Sequence, residues 1–127
     1  MKRIISTDKA PAAIGPYSQA IQAGEFLYVS GQIPIDPETG TVAPGTFGDL
    51  VRQSLNNLKA ILEGAGYSLE DVVKTTIFLT DMSNFGTANT VYAKFFEKEP
   101  PARSCVAVQE LPKGLPIEIE AVAWKKQ

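Results

Sequence analysis

Histidine is absent from all 127 residues, and cysteine occurs once, at Cys105. The first absence removes the commonest general base and the commonest metal ligand, so zinc centres and Ser-His-Asp or Cys-His catalysis are excluded within one chain. The second excludes an internal disulfide. Long apolar runs are also missing. Nothing approaches the ~20 apolar residues that cross a bilayer, and the basic start Met1-Lys2-Arg3 leads into an apolar run that breaks almost at once, unlike a signal peptide. Cytoplasmic residence with no membrane partner is the expectation. Positive charge is not in excess either: twelve Lys and Arg against fourteen Asp and Glu give a net charge of −2 and a pI near 5.1. A broad footprint for phosphate backbones is therefore not expected, nor is nucleic acid as a partner.

What is present describes one ordinary domain over residues 1–127, with 44% hydrophobic and 20% charged residues and no internal repeat or low-complexity tract. Gly24-Glu25 joins two short apolar segments, Ala20 to Ala23 and Phe26 to Ser30, which predicts a β-hairpin. Residues 32–40 contain Pro34 and Pro37 and end in Glu-Thr-Gly, and read as a loop. Val51, Leu55, Leu58, Leu62 and Ala65 then recur at helical spacing, with Thr46 and Asp49 placed to cap the start and Gly64 and Gly66 at the end. The β-branched run from Val72 to Thr80 predicts a strand. Phe85, Ala88, Tyr92, Phe95 and Phe96 predict a second helix, stopped by Pro100-Pro101. Two last strands are expected over Arg103 to Leu111 and Pro116 to Trp124. The order ββαβαββ, with right-handed crossovers, predicts an α+β sheet carrying both helices on one face. The other face is too apolar for water, which points to packing against further copies of the chain.

Few side chains in this set can do chemistry. Arg103, opening a strand, fits an ion-paired surface cation and a planar fork for a small carboxylate equally well. Cys105 shares its strand face and is better read as a small core residue than as a nucleophile, since no histidine is available to ionise it. Glu118 and Glu120 alternate onto one face of the last strand; on an edge they would be a solvated pair, whereas in a cleft one of them could act as a general base. Gly15-Pro16-Tyr17-Ser18 and Ser30-Gly31-Gln32 are corners for which turn formation suffices. Asn89, inside the second helix, fits a tertiary hydrogen bond or a solvent-facing position.

At these residues the chain resembles the reactive intermediate/imine deaminase (RidA, YjgF/YER057c/UK114) family. The matching stretches run in order along nearly the whole chain: residues 10–18 (APAAIGPYS), 29–34 (VSGQIP), 52–58 (RQSLNNL), 73–78 (VKTTIF), 101–106 (PARSCV) and 117–121 (IEIEA). The resemblance implies a chorismate-mutase-like α+β subunit in a homotrimer, with sheets forming a central barrel and clefts between neighbouring subunits. It implies hydrolysis of 2-iminobutanoate and 2-iminopropanoate, which arise from enamines released by pyridoxal-phosphate-dependent dehydratases, to 2-oxo acids and ammonia, without cofactor or metal. Carried over by position, Arg103 would bind the substrate carboxylate and Glu118 would orient or activate the attacking water. Cys105, Ser30 and Gly31 would line the pocket, and Tyr17 and Asn89 would close it. A trimeric module that binds 2-oxo acids without turnover is the competing expectation; RNA cleavage or inhibition of translation is a third that the charge and missing histidines disfavour.

Overall fold

The structure is a computed structural model that describes residues 1–127. Its first helix, α1 (Phe47–Gly64), starts where the capping residues predict. The Thr46 hydroxyl accepts from the Asp49 N–H while the Asp49 carboxylate accepts from the Thr46 N–H at 2.8 Å, which satisfies two of the donors that a helix start leaves free. Gly66, at φ +86°, ends it: its N–H donates to Glu63 O and the Tyr67 N–H to Leu62 O, a closure that needs a residue at ease in the left-handed region. Val51, Leu55, Leu58, Ile61 and Leu62 are fully buried along one stripe. The second helix, α2 (Phe85–Phe95), buries Ala88, Val91 and Tyr92.

The main sheet has six strands in the order β1-β2-β3-β8-β6-β7, namely β1 (Arg3–Ile5), β2 (Ala20–Ala23), β3 (Phe26–Gln32), β8 (Ile117–Trp124), β6 (Val72–Leu79) and β7 (Ala102–Ala107). Only β6 and β7 pair in parallel. This is a mixed α+β single domain, as expected, but with differences in detail. The start of the chain is a strand, β1, which reading the run only as a failed leader missed. The segment expected to be a loop, residues 32–40, instead holds the end of β3 and the first strand of a minimal hairpin, β4 (Ile35–Asp36), whose partner β5 (Thr41–Val42) follows directly; Pro34 and Pro37 flank β4. Strand β7 ends at Ala107, not Leu111, after which the Val108 N–H still reaches Leu79 O at 2.7 Å.

Register separates the two faces of the sheet. Ile5, Ala20, Val29, Ala121, Thr75 and Arg103 form one row across all six strands. The first five are at most 5% exposed beneath the helices, and Arg103 ends the row at the open edge. Ile4, Ile21, Tyr28 and Val122 belong to a row on the opposite face, together with the cross-strand pair Phe26 and Trp124. On that face Ile4, Tyr28, Phe26, Trp124 and Val106 are exposed in the single chain.

Candidate active site

The candidate residues fall into two groups. The first gathers where β3 meets β8. The β3 ladder shifts register between Val29 and Gln32, a bulge that takes in Ser30 and Gly31. A Cβ on Gly31 would lie 2.7 Å from the carboxylate carbon of Glu118, so the glycine makes the room in which that carboxylate sits. Glu118 and Glu120 share a face, as alternation predicts, but β8 is the third strand from one edge and the fourth from the other, so neither sits on a sheet edge. Burial raises the Glu118 carboxyl above its usual range, and the Glu120 charge adds to the rise.

A cleft of about 830 Å³ opens over Glu118, walled by Tyr17, Ser30, Gly31, Ile33 and Lys113 among others. Its two irregular walls are held from beneath by buried amides. Gln19 donates to the carbonyls of Thr7 (3.0 Å) and Pro11 (2.8 Å) and accepts from the Thr7 N–H at 2.7 Å, which ties down the approach to Tyr17. Asn57 donates to Ile33 O at 3.2 Å and Ile35 O at 2.9 Å and so holds the β4–β5 hairpin. The Ser30 hydroxyl donates to Ser18 O at 2.6 Å, which leaves it only acceptor capacity toward the cleft.

The second group lies on the helix side of the β7 edge. The Arg103 Nη1 donates to Asn89 Oδ1 at 2.7 Å, and this is the arginine's one hydrogen bond within the chain. Its guanidinium stands 5.0 Å from the Tyr92 ring centroid and 5.5 Å from that of Phe85. Asn89 is thus a partner of Arg103, which resolves the two readings its position allowed. Cys105, on the same face and half-buried against the core, has its thiol pushed up by burial, with the Arg103 charge opposing, so it remains a neutral thiol.

Arg103, Asn89 and Cys105 therefore sit on one face of the sheet and Glu118 with Tyr17, Ser30 and Gly31 on the other. An exposed guanidinium with unused donors and a half-buried carboxylate are both present, but a single chain does not bring them together. Sequence reasoning missed Gln19, Asn57, Phe85, Tyr92 and Lys113 as contributors. Two of these carried a signal: Asn57 is a polar residue within the buried stripe of α1, and Tyr92 is a phenol at a core position that needs a partner.

These features define a small α+β domain with an exposed cation at one sheet edge and a separate cleft over a half-buried carboxylate. The family model described as Endoribonuclease L-PSP matches residues 7–125, and the chain belongs to this family, the RidA/YjgF group that its motifs resemble. A RutC family protein of Pyrococcus horikoshii is 56% identical over 99% of this chain and all of its own. The 2-iminobutanoate/2-iminopropanoate deaminase of Salmonella typhimurium is 50% identical over 99% of this chain and all of its own. Among solved structures, Escherichia coli TdcF with bound serine superposes with a TM-score of 0.94 at 46% identity, covering 98% of this chain and 99% of that one.

Proposed function

We propose that this chain is a cytoplasmic 2-iminobutanoate/2-iminopropanoate deaminase that works as a homotrimer, with each site shared by two subunits and no cofactor. The observation that carries the reading is the form of Arg103: a cation fixed by Asn89 through Nη1, with its remaining N–H donors free, on the sheet face opposite a half-buried Glu118, so that a second copy would have to bring the two together. The naming of a 50% identical relative for this reaction supports the substrate class. So does the serine bound to TdcF, since serine carries a carboxylate next to a carbon bearing nitrogen, as a 2-imino acid does.

In this reading the free edge of Arg103 takes the substrate carboxylate through two parallel N–H donors. An iminium carbon is already electrophilic, so the protein needs to place a water and move protons. Glu118, ionised, accepts a proton as water adds to the carbon; it returns that proton to nitrogen, and the carbinolamine expels ammonia as its hydroxyl proton passes back to Glu118, leaving a 2-oxo acid. Tyr17, Ser30, Gly31 and Cys105 line the space around the substrate. Three copies, each covering its neighbour's Phe26, Tyr28 and Trp124 face, would close the sheets into a barrel, consistent with the rarity of large exposed apolar patches on monomers.

A coupled assay tests the reaction. A dehydratase generates the enamines from L-serine and L-threonine, semicarbazide competes for the imine, and 2-oxo acid release is followed with and without this protein. Faster release and less semicarbazone, both lost in Arg103→Ala, are expected. Binding of 2-oxobutanoate without any acceleration would mark a non-catalytic binding module instead. RNA cleavage, the activity in the family's description, would require RNA binding that weakens steeply with salt, against a chain of net charge −2 with no histidine.

A further inference from the structure

Thr75 and Tyr92 form a buried hydroxyl pair that the chemistry above does not use. Their oxygens are 2.6 Å apart, Thr75 is 0% and Tyr92 5% exposed, and the Tyr92 ring lies against the Arg103 guanidinium. Thr75 is the register partner of Arg103 across the parallel β6–β7 ladder, so the hydroxyl pair and the guanidinium occupy adjacent strands on one face. Phe85, Asn89 and Tyr92 are spaced i, i+4 and i+7 on α2, which puts them on one side of the helix, toward that arginine. An exposed arginine would ordinarily sample many rotamers; this one has an aromatic ring on either contact and an amide oxygen at Nη1.

We propose that Tyr92 is a positioning residue for Arg103: its ring backs the guanidinium, its hydroxyl is anchored on Thr75, and together with Asn89 and Phe85 it aims the free guanidinium edge at one docking place for a carboxylate. The inference rests on the reading of Arg103 as the carboxylate clamp. Burial raises the Tyr92 phenol further above neutral pH, so it stays protonated and keeps its bond to Thr75 throughout the working range. Anchoring matters because a small misplacement of a binding group lowers affinity even where every contact survives.

The test uses the full-length chain, 2-oxobutanoate as the probe, and the ¹⁵N signal of the Arg103 side-chain Nε–H, identified by its loss in Arg103→Lys. Tyr92→Leu is expected to weaken 2-oxobutanoate roughly tenfold and to raise KM for the imine by a similar factor, with kcat within about twofold. Tyr92→Phe keeps the ring and should restore affinity to within about threefold of wild type, while Thr75→Val broadens the Nε–H signal. A folded Tyr92→Leu with wild-type affinity, KM and Nε–H signal overturns the proposal. Should Tyr92→Leu fail to fold, a wild-type Nε–H signal in Thr75→Val overturns it instead. A wild-type chain that binds 2-oxobutanoate through Arg103 without turnover contradicts the deaminase reading alone, and the affinities still decide for or against Tyr92. If wild type binds no 2-oxobutanoate, the clamp reading falls, and the Nε–H signal alone decides whether Tyr92 holds the arginine.

Discussion

Arg103 and Glu118 lie on opposite faces of the same sheet: Arg103 shares a register row with the buried Thr75 and Ala121, whereas Glu118 is in register with Phe78 on the face that the helices leave open. Two residues assigned to one reaction are thus kept apart within a chain. Their assignment to one site therefore carries an assembly with it.

Arg103→Ala should weaken carboxylate binding while leaving the fold intact, because the side chain is exposed at a strand edge and its one intrachain hydrogen bond is to Asn89. Loss of a charge-assisted pair costs about 1.5–3 kcal/mol, or roughly 10- to 100-fold in affinity for 2-oxobutanoate. Arg103→Lys should recover only part of this, since a point charge does not reproduce the fork. Calorimetric titration of each variant, beside a thermal unfolding curve, gives both numbers.

Gly31→Ala separates activity from stability. The added Cβ meets the end of the Glu118 side chain, which can swing away, and not the backbone, so the unfolding temperature should change little. The displaced carboxylate would no longer hold water in place, and turnover should fall by roughly 100-fold. A Gly31→Ala protein with wild-type turnover would remove Glu118 from the chemistry.

Glu118 also sets a pH dependence. Its carboxyl is held above the usual range by burial and then by Glu120, so turnover that needs the ionised form should rise as pH increases through that raised value. Glu120→Gln should move this acidic limb to lower pH. Folding stability runs the other way. A carboxyl whose folded-state pKa lies above its unfolded value favours the fold below the unfolded pKa, and this contribution is lost as pH rises through the folded one. Glu118→Gln should flatten that fall, which denaturant titrations across the acidic range would read.

Much of this was legible from spacing. The α1 stripe with Thr46 before it, the alternation of Glu118 and Glu120, and the shared face of Arg103 and Cys105 all follow from periods of 3.6 and 2. The rest depends on partners distant in the chain. Strand β1 is three residues long, too short to carry a period, and exists because β2 pairs with it. Gly31 looks like any turn glycine until Glu118, on another strand, is seen to occupy the place of its side chain. Which face each strand period turns toward the helices is set by pairing, so the separation of Arg103 from Glu118 was not readable from either motif.

Asn57→Leu should destabilise the fold by about 1–3 kcal/mol, because it strips the donors from the Ile33 and Ile35 carbonyls in a nearly solvent-free position. The loss should be largest at the β4–β5 hairpin, and faster amide exchange of residues 33–43 than of β6 and β8 would locate it there.

The claim that two chains build each site is tested most directly by mixing two inactive proteins. Arg103→Ala and Glu118→Gln, each without turnover alone, are unfolded together in equal amounts, refolded, and assayed for 2-oxo acid release. If each site draws Arg103 from one subunit and Glu118 from its neighbour, every mixed trimer regains one intact site, and random mixing returns about a quarter of wild-type activity. If both residues served the same site from one chain, no mixed trimer would hold an intact site, and a mixture as inactive as its components, with mixed trimers demonstrated by mass, would contradict the account.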